Sequence, residues 1–296
     1  MSIRIERDGD TVRVKVSEPE SGDRGIVLPY GKPYLDGIFG LTGPALRHVH
    51  MAAIICRLAK DFRSTDLQAL EVGSWCGAST LTWAYAMARY NENVGQITCI
   101  DAWKPYIDTK INLDEKYKRM QQALCNGQPI RVFNHNRQFV PNGISVNAIC
   151  GWSTEILPML PREQYHCVYI DGDHCYEAVR ADIENSLPLV IDGGVICGDD
   201  LELQADECNT SIVKESPGID YYYDVNAEKY FHPGVTRAVG ERFGRVSAWH
   251  GLWAMRKQRG AWESLSLQGM PFYCPPHLTG IDLIKLKLDV LELNDW

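Results

Sequence analysis

A chain of 296 residues with a hydrophobic fraction of 45% can bury one large domain with elaborations, or one domain plus a small appendage. A net charge of −8 argues against an electrostatic grip on nucleic acid, and no run of about 18 apolar residues suggests a membrane span. Ten cysteines include no C-x-x-C pair, and Cys99, Cys150, Cys167 and Cys197 lie in or beside apolar runs, which fits reduced core thiols of a cytoplasmic protein rather than a zinc framework.

The N-terminus is polar and alternating, unlike a signal peptide. Residues 2–17 read as a hairpin turning at Asp8-Gly9-Asp10. Residues 18–44 are rich in Gly and Pro and carry Tyr30, Tyr34 and Phe39; they form either a packed arm or a lid. Residues 1–44 thus make a first unit before the main domain, 45–257. A helix is expected over 43–60, with Leu46, Val49, Ala53, Ile54 and Leu58 on one face. His48 and His50 on it are expected to have surface or capping roles.

Residues 70–101 organise the rest. A buried strand carries the chain to Glu71, and Gly73 and Gly77 bracket a turn of the form E-x-G-x-x-x-G-x-S that includes Ser74 and Ser79. A helix follows from about Ala78, with Leu81, Ala84, Tyr85 and Ala88 at helical spacing, and an apolar run at 97–100 ends on Asp101. Glycines in such a turn let backbone approach a ligand, and an acid at the next strand end can accept both hydroxyls of a ribose. Neither G-x-G-x-x-G nor a phosphate P-loop is present, and no Lys or Arg lies between Glu71 and Arg89. A ligand with a ribose but no phosphate is implied, and S-adenosylmethionine is the candidate. Trp103, two residues after the acid, either lies against the adenine or packs in the core. EVGSWCGAS resembles the first motif of class I S-adenosylmethionine-dependent methyltransferases, with Asp101 in the place of their ribose-binding acid.

A helix with mixed charges is expected over 114–124, then an Asn-rich polar connection over 126–142 near the substrate mouth. A third strand from Ile144 reaches a turn at Gly151-Trp152-Ser153 and a short helix ended by proline. A fourth, 166–170, runs directly into Asp171-Gly172-Asp173-His174. After a helix, Asp192-Gly193-Gly194 turns into a fifth strand that ends in Asp199-Asp200. Ligands bind at the carboxyl ends of strands in open parallel sheets, so Asp171, Asp199 and Asp200 converge on one rim. Their mutual repulsion would be relieved by a divalent cation such as Mg²⁺. His174 is a general base, a metal neighbour or a helix-start residue.

The run from Tyr169 to Asp200 is similar to the methyltransferase-24 group and its macrocin-type sugar O-methyltransferase relatives, and the likeness extends over 67–200 and HPGVTRAVGERFG. The resemblance implies a Rossmann-like, doubly wound α/β fold with a seven-stranded, mostly parallel sheet and an antiparallel closing hairpin. It further implies a metal-assisted O-methyltransferase acting on a hydroxyl of a sugar or other natural product, with Asp171 or His174 taking the proton. Methyltransferases of this class hold adenine after the third strand, commonly with an acid; here Trp152 stands in its place, with Ser153 beside it. The alternatives are an N-methyltransferase, a metal-independent enzyme, or a non-catalytic cofactor-binding accessory protein. An insert at 201–232, with Tyr221, Tyr222 and Tyr223, is expected over the acceptor site. Residues 245–249 and 251–256 suit the closing hairpin. The appendage, 258–296, ends in an alternating stretch at 283–293 that fits a strand or a helix, and with the N-terminal unit it suggests a homodimer.

Overall fold

The computed structural model describes residues 3–8, 11–16, 26–41, 43–63, 65–208 and 218–278. The N-terminal alternation forms β1 (Ile3–Asp8) and β2 (Thr11–Val16), an antiparallel pair, and β3 (Val27–Pro29) joins β2. Beyond β3 the chain is a packed arm. Tyr34 exchanges backbone hydrogen bonds with the Asn136 amide, and the Trp75 indole donates to Ile38 O.

The main sheet comprises β4 (Leu67–Val72), β5 (Gly95–Asp101), β6 (Ile144–Cys150), β7 (Tyr165–Ile170), β8 (Val190–Leu201), β11 (Ser247–Trp249) and β12 (Gly251–Gln258). Their spatial order is β6-β5-β4-β7-β8-β12-β11. The first five pair in parallel, while β12 runs antiparallel to both β8 and β11. This is the expected seven-stranded doubly wound α/β sheet with its closing hairpin. β13 (Ala261–Ser264) extends it along β12, where β11 stops. The sheet's middle strands read as unbroken apolar runs because both faces are covered; all six residues of β7 are buried.

One face carries α1 (Ala45–Asp61) and α2 (Ala78–Tyr90), the other α6 (Tyr176–Ser186) and α7 (Pro233–Phe243). α1 is apolar almost all round, so it buries most of its length, and each fully buried Leu or Ile contributes about 1.5–3 kcal/mol. His48 and His50 are buried with it, contrary to the surface or capping role expected for them. His48 meets the Thr82 hydroxyl at 2.5 Å, and burial lowers the two imidazoles to pKa values of about 3 and about 4. They are neutral core groups.

Three further differences have local causes. The Asn-rich connection contains a helix, α4 (Gln128–Asn136), after α3 (Glu115–Cys125); Pro129 opens it, and its apolar face is short, centred on the fully buried Val132 and Phe133. Asp192-Gly193-Gly194 lies within β8, where the register with β7 shifts, rather than before the strand. The described part of 258–296 is continuous with the domain: Leu265 and Leu267 enter the α1–α2 core, and His277 meets Thr82 at 3.2 Å and stacks on Tyr85. The alternating stretch at 283–293 lies outside the described residues. Of the described helices, none is long and apolar enough to cross a membrane.

Candidate active site

The turn after β4 is shaped by the neighbouring strand. Gly73 has φ +85°, and a Cβ there would lie 1.9 Å from the Asp171 carbonyl oxygen. Gly77, at φ +86°, opens α2, and a Cβ on it would approach Phe133 at 3.2 Å. Both glycines serve backbone conformation and close packing of the protein on itself, and Gly73 also lines the cleft under Asp101. Glu71 is fully buried behind the turn: it accepts from the Thr80 hydroxyl and from the Cys99 thiol at 3.4 Å. It braces the turn from beneath. Ser74 and Ser79 line a small cavity of about 60 Å³ with Gly73, Asp171, Asp199 and Arg47.

Asp101 ends β5, the strand beside β4, and the strand order reverses between β4 and β7, the usual binding crevice of such sheets. Its carboxylate accepts from Trp75 N at 2.8 Å and Trp103 N at 2.6 Å. Burial pushes its pKa up to about 6 against the pull of these donors. It faces a cleft of about 200 Å³ lined also by Trp152, Ser153, Asp171 and His174. Trp152, the N-cap of the short helix α5 (Ser153–Ile156), is 39% exposed with its ring at the mouth. Trp103 takes the packing alternative: its indole donates to Trp75 O at 2.7 Å and its ring lies 5.0 Å from Phe133.

One acid of this cleft was missed. Asp182 on α6 lines it while only 2% exposed; burial pushes its pKa up to about 7, and Oδ1 has no protein partner. The signal was present: Asp182 shares the buried face of α6 with Tyr176, Val179, Ile183 and Ser186. An acid on an apolar stripe needs a reason.

Beyond Asp171 and His174 the cleft opens into a cavity of about 550 Å³ lined by Tyr106, Tyr117, Asp200, Glu202, Asp220, Tyr221 and His232. Asp171 and His174 stand at the end of β7, and Asp199 and Asp200 near the end of β8. Asp171 accepts from the Tyr169 hydroxyl at 3.1 Å and lies 3.8 Å from His174 Nε2. His174 is held from both sides, Nδ1 at 2.8 Å from Asp220 and Nε2 at 3.0 Å from Asp200. Burial opposes its charge, but these two acids raise its pKa well above the usual value. His232 Nδ1 lies 3.0 Å from Glu202, and Tyr117 donates to Asp220. Burial works against ionisation of Asp220 and Asp200, yet the imidazoles hold both below the usual carboxylate range.

The expected metal ligands Asp171, Asp199 and Asp200 meet a cation already in place. Arg47 Nη1 lies 2.8 Å from Asp199 and 2.7 Å from Asp200, and Nη2 lies 2.7 Å from Glu202. Asp199 and Asp200 thus pair with a guanidinium, and the three aspartates do not bring their oxygens together as one group. Among the described residues, three groups bring ligand atoms within 4.8 Å of one another: Asp171–His174–Asp200, His174–Asp220–His232 and Asp200–Glu202–His232. None contains Asp199, and each includes an imidazole already bonded to acids. Arg47, Asp220 and His232 were also missed. An arginine in the first turn of an apolar helix hints at a buried ion pair; Asp220 and His232 carry no signal in their own neighbourhoods.

Residues 70–201 match the family model of the methyltransferase-24 domain, described as a methyltransferase domain. No curated protein matches the sequence significantly. Among solved structures the chain is similar to the O-methyltransferase NovP, at 15% identity over 72% of this chain and 80% of that one, TM-score 0.49. It is similar also to the calicheamicin methyltransferase CalS11, at 16% identity over 71% and 78%, TM-score 0.42. A third is the O-methyltransferase TomG from Streptomyces achromogenes, at 16% identity over 71% and 80%, TM-score 0.36. The matched stretch runs from the glycine turn through Asp101 and Asp171 to the Asp199-Asp200 strand end, so on this strand order residues 70–201 are a methyltransferase domain similar to the methyltransferase-24 family.

Proposed function

We propose that the chain methylates a hydroxyl oxygen of a small polyhydroxylated molecule, of the sugar or natural-product kind, in the cytoplasm. The observation that carries this reading is the junction at His174, which lines both the cleft under Asp101 and the larger cavity beyond. Two sites of different chemistry share one border there.

The cleft suits S-adenosylmethionine. Asp101, fixed by two backbone donors, accepts the ribose hydroxyls. The unpartnered Asp182 Oδ1 accepts the adenine amine, the role that an acid after β6 would otherwise fill. Trp152 lies along the ring, with Ser153 beside it. Ser74 and Ser79, near the N-terminus of α2, receive the amino-acid end, where backbone N–H groups favour a carboxylate.

The sulfonium supplies an electrophilic methyl group. Asp171, at the border of the cleft, takes the proton of the acceptor hydroxyl as that oxygen bonds to the methyl carbon and the carbon–sulfur bond breaks. His174, held between Asp220 and Asp200, keeps a positive charge beside the developing alkoxide. Tyr106, Tyr117 and Tyr221 offer flat faces and hydroxyls to a sugar-like acceptor. Metal assistance through Asp171, Asp199 and Asp200 forms no part of this reading, because Arg47 already neutralises the Asp199-Asp200 pair.

Calorimetry with S-adenosylhomocysteine tests it. Wild-type protein binds in the micromolar range, and Asp101→Ala weakens binding by about 30-fold, the loss of a charge-assisted hydrogen bond of about 2 kcal/mol. Absence of binding by the wild type would overturn the reading.

A further inference from the structure

The surroundings of Arg47 are built around a guanidinium. Its five N–H donors meet four acceptors: Nε donates to His250 O at 2.6 Å, and the two terminal nitrogens reach Asp199, Asp200 and Glu202. Two glycines make the room. A Cβ on Gly43 would lie 2.6 Å from Nη1, and one on Gly251 would lie 2.3 Å from Nη2. The backbone bends to match: Asp200 has φ 63°, His250 φ 55° and Gly251 φ 94°. A left-handed conformation at an aspartate and a histidine costs energy that surrounding contacts must offset. Here the strand end of β8 and the β11–β12 turn both adopt it beside one side chain.

The planar fork of arginine suits this task, since it can donate to several carboxylates at once. Arg47 touches Asp200, and Asp200 in turn holds His174 Nε2 at 3.0 Å. The guanidinium therefore acts on the reacting border through another residue. It is a positioning group.

We infer that Arg47 is the resident cation of the carboxylate rim in place of a divalent metal ion, and that this methyltransferase holds Asp199, Asp200 and Glu202 together without one. The inference rests on the proposed transferase function only for its catalytic meaning, and two separate measurements keep their failures apart. S-adenosylhomocysteine calorimetry tests the transferase reading. Mn²⁺ binding, followed by the electron paramagnetic resonance of the free ion, tests the inference.

In full-length wild-type protein stripped with chelator, Mn²⁺ binds more weakly than about 1 mM, because the carboxylates are already paired. Arg47→Ser frees three acids around a gap and gains one Mn²⁺ site at least about tenfold tighter. Asp200→Asn added to that variant abolishes the gain. Each variant keeps a single cooperative thermal transition, which a merely unfolded protein would not show. Arg47→Gln carries the same expectation should Arg47→Ser fail to fold. A wild-type protein that binds one Mn²⁺ below about 100 µM, with that site lost in Asp200→Asn, overturns the inference. So does a lack of Mn²⁺ binding by wild type and Arg47 variants alike, since the freed carboxylates would then not form a cation site.

Discussion

The cleft under Asp101 and the cavity beyond His174 adjoin, yet they hold their acids by opposite means. Asp101 is gripped by backbone N–H groups of Trp75 and Trp103, both from the turn-and-strand unit to which it belongs. Asp199, Asp200, Glu202 and Asp220 are gripped by charged side chains from elsewhere: Arg47 on α1, His174 after β7 and His232 before α7. A site fixed by its own backbone recognises one ligand shape and tolerates change elsewhere in the chain. A site fixed by distant side chains ties several elements into one electrostatic unit, and a substitution in any of them disturbs the others.

The largest effect should come at the border. Asp171→Asn removes the proposed proton acceptor while leaving a similar shape, so methyl transfer should fall by about 10²–10⁴-fold. S-adenosylhomocysteine binding should change by no more than about threefold, because Asp101 and its backbone donors stay in place. Transfer of labelled methyl to an acceptor found by screening polyhydroxylated molecules measures the first, and calorimetry the second. A parallel loss of both would dissolve the distinction between the two halves.

The same difference decides how much was legible in advance. The fold was, because its middle strands are apolar runs that alternate with helical periodicity, and the family resemblance implied the parallel sheet with its closing hairpin. So was Asp101, since a strand end, a glycine turn and an acid lie within one local unit. The glycines have a further role that local sequence does not show: Gly73 clears the Asp171 carbonyl, a contact across about a hundred residues of chain. At Asp199, where a metal was expected, the neighbour is likewise distant in sequence. Repulsion among the acids was rightly anticipated, but the counter-charge comes from Arg47, more than 150 residues earlier in the sequence. Periodicity shows which face of a helix is buried, and it does not show what that face meets.

The second effect sharpens the contrast from inside the cleft. Asp182 is a buried acid there with an unpartnered oxygen and no cationic neighbour among the groups that shift it. Its folded-state pKa of about 7 stands above the unfolded value of about 3.9, so the folded protein binds this proton more tightly. Stability from this group is therefore greatest below about pH 4 and declines as the pH rises towards 7. Asp182→Asn removes the titration. The melting temperature of the variant should pull ahead of wild type through that window and hold its lead above it, by about 2–4 °C per kcal/mol. Affinity for S-adenosylhomocysteine should fall by about tenfold at pH 8, because an amide replaces the carboxylate facing the adenine amine. Scanning calorimetry across pH, with and without S-adenosylhomocysteine, separates the two. A variant that gains stability and keeps full affinity would remove Asp182 from adenine recognition and leave it a buried acid without a function.

The smallest effect concerns Trp152, and it asks whether the cleft needs any side chain at its mouth. The indole is 39% exposed and makes no hydrogen bond that fixes it, unlike Trp75 and Trp103, whose ring nitrogens both donate to backbone carbonyls. Stacking of an exposed aromatic ring on a purine contributes about 0.5–1.5 kcal/mol beyond its buried area. Trp152→Ala should therefore weaken S-adenosylhomocysteine by about three- to tenfold, and Trp152→Phe should restore most of that loss. Trp103→Phe provides the contrast. It breaks the bond to the Trp75 carbonyl and loosens the turn that holds Asp101, so it should lower thermal stability as well as affinity. Equal stability losses in both variants would mean that Trp152 is a structural residue like Trp103 and that the adenine rests on backbone alone.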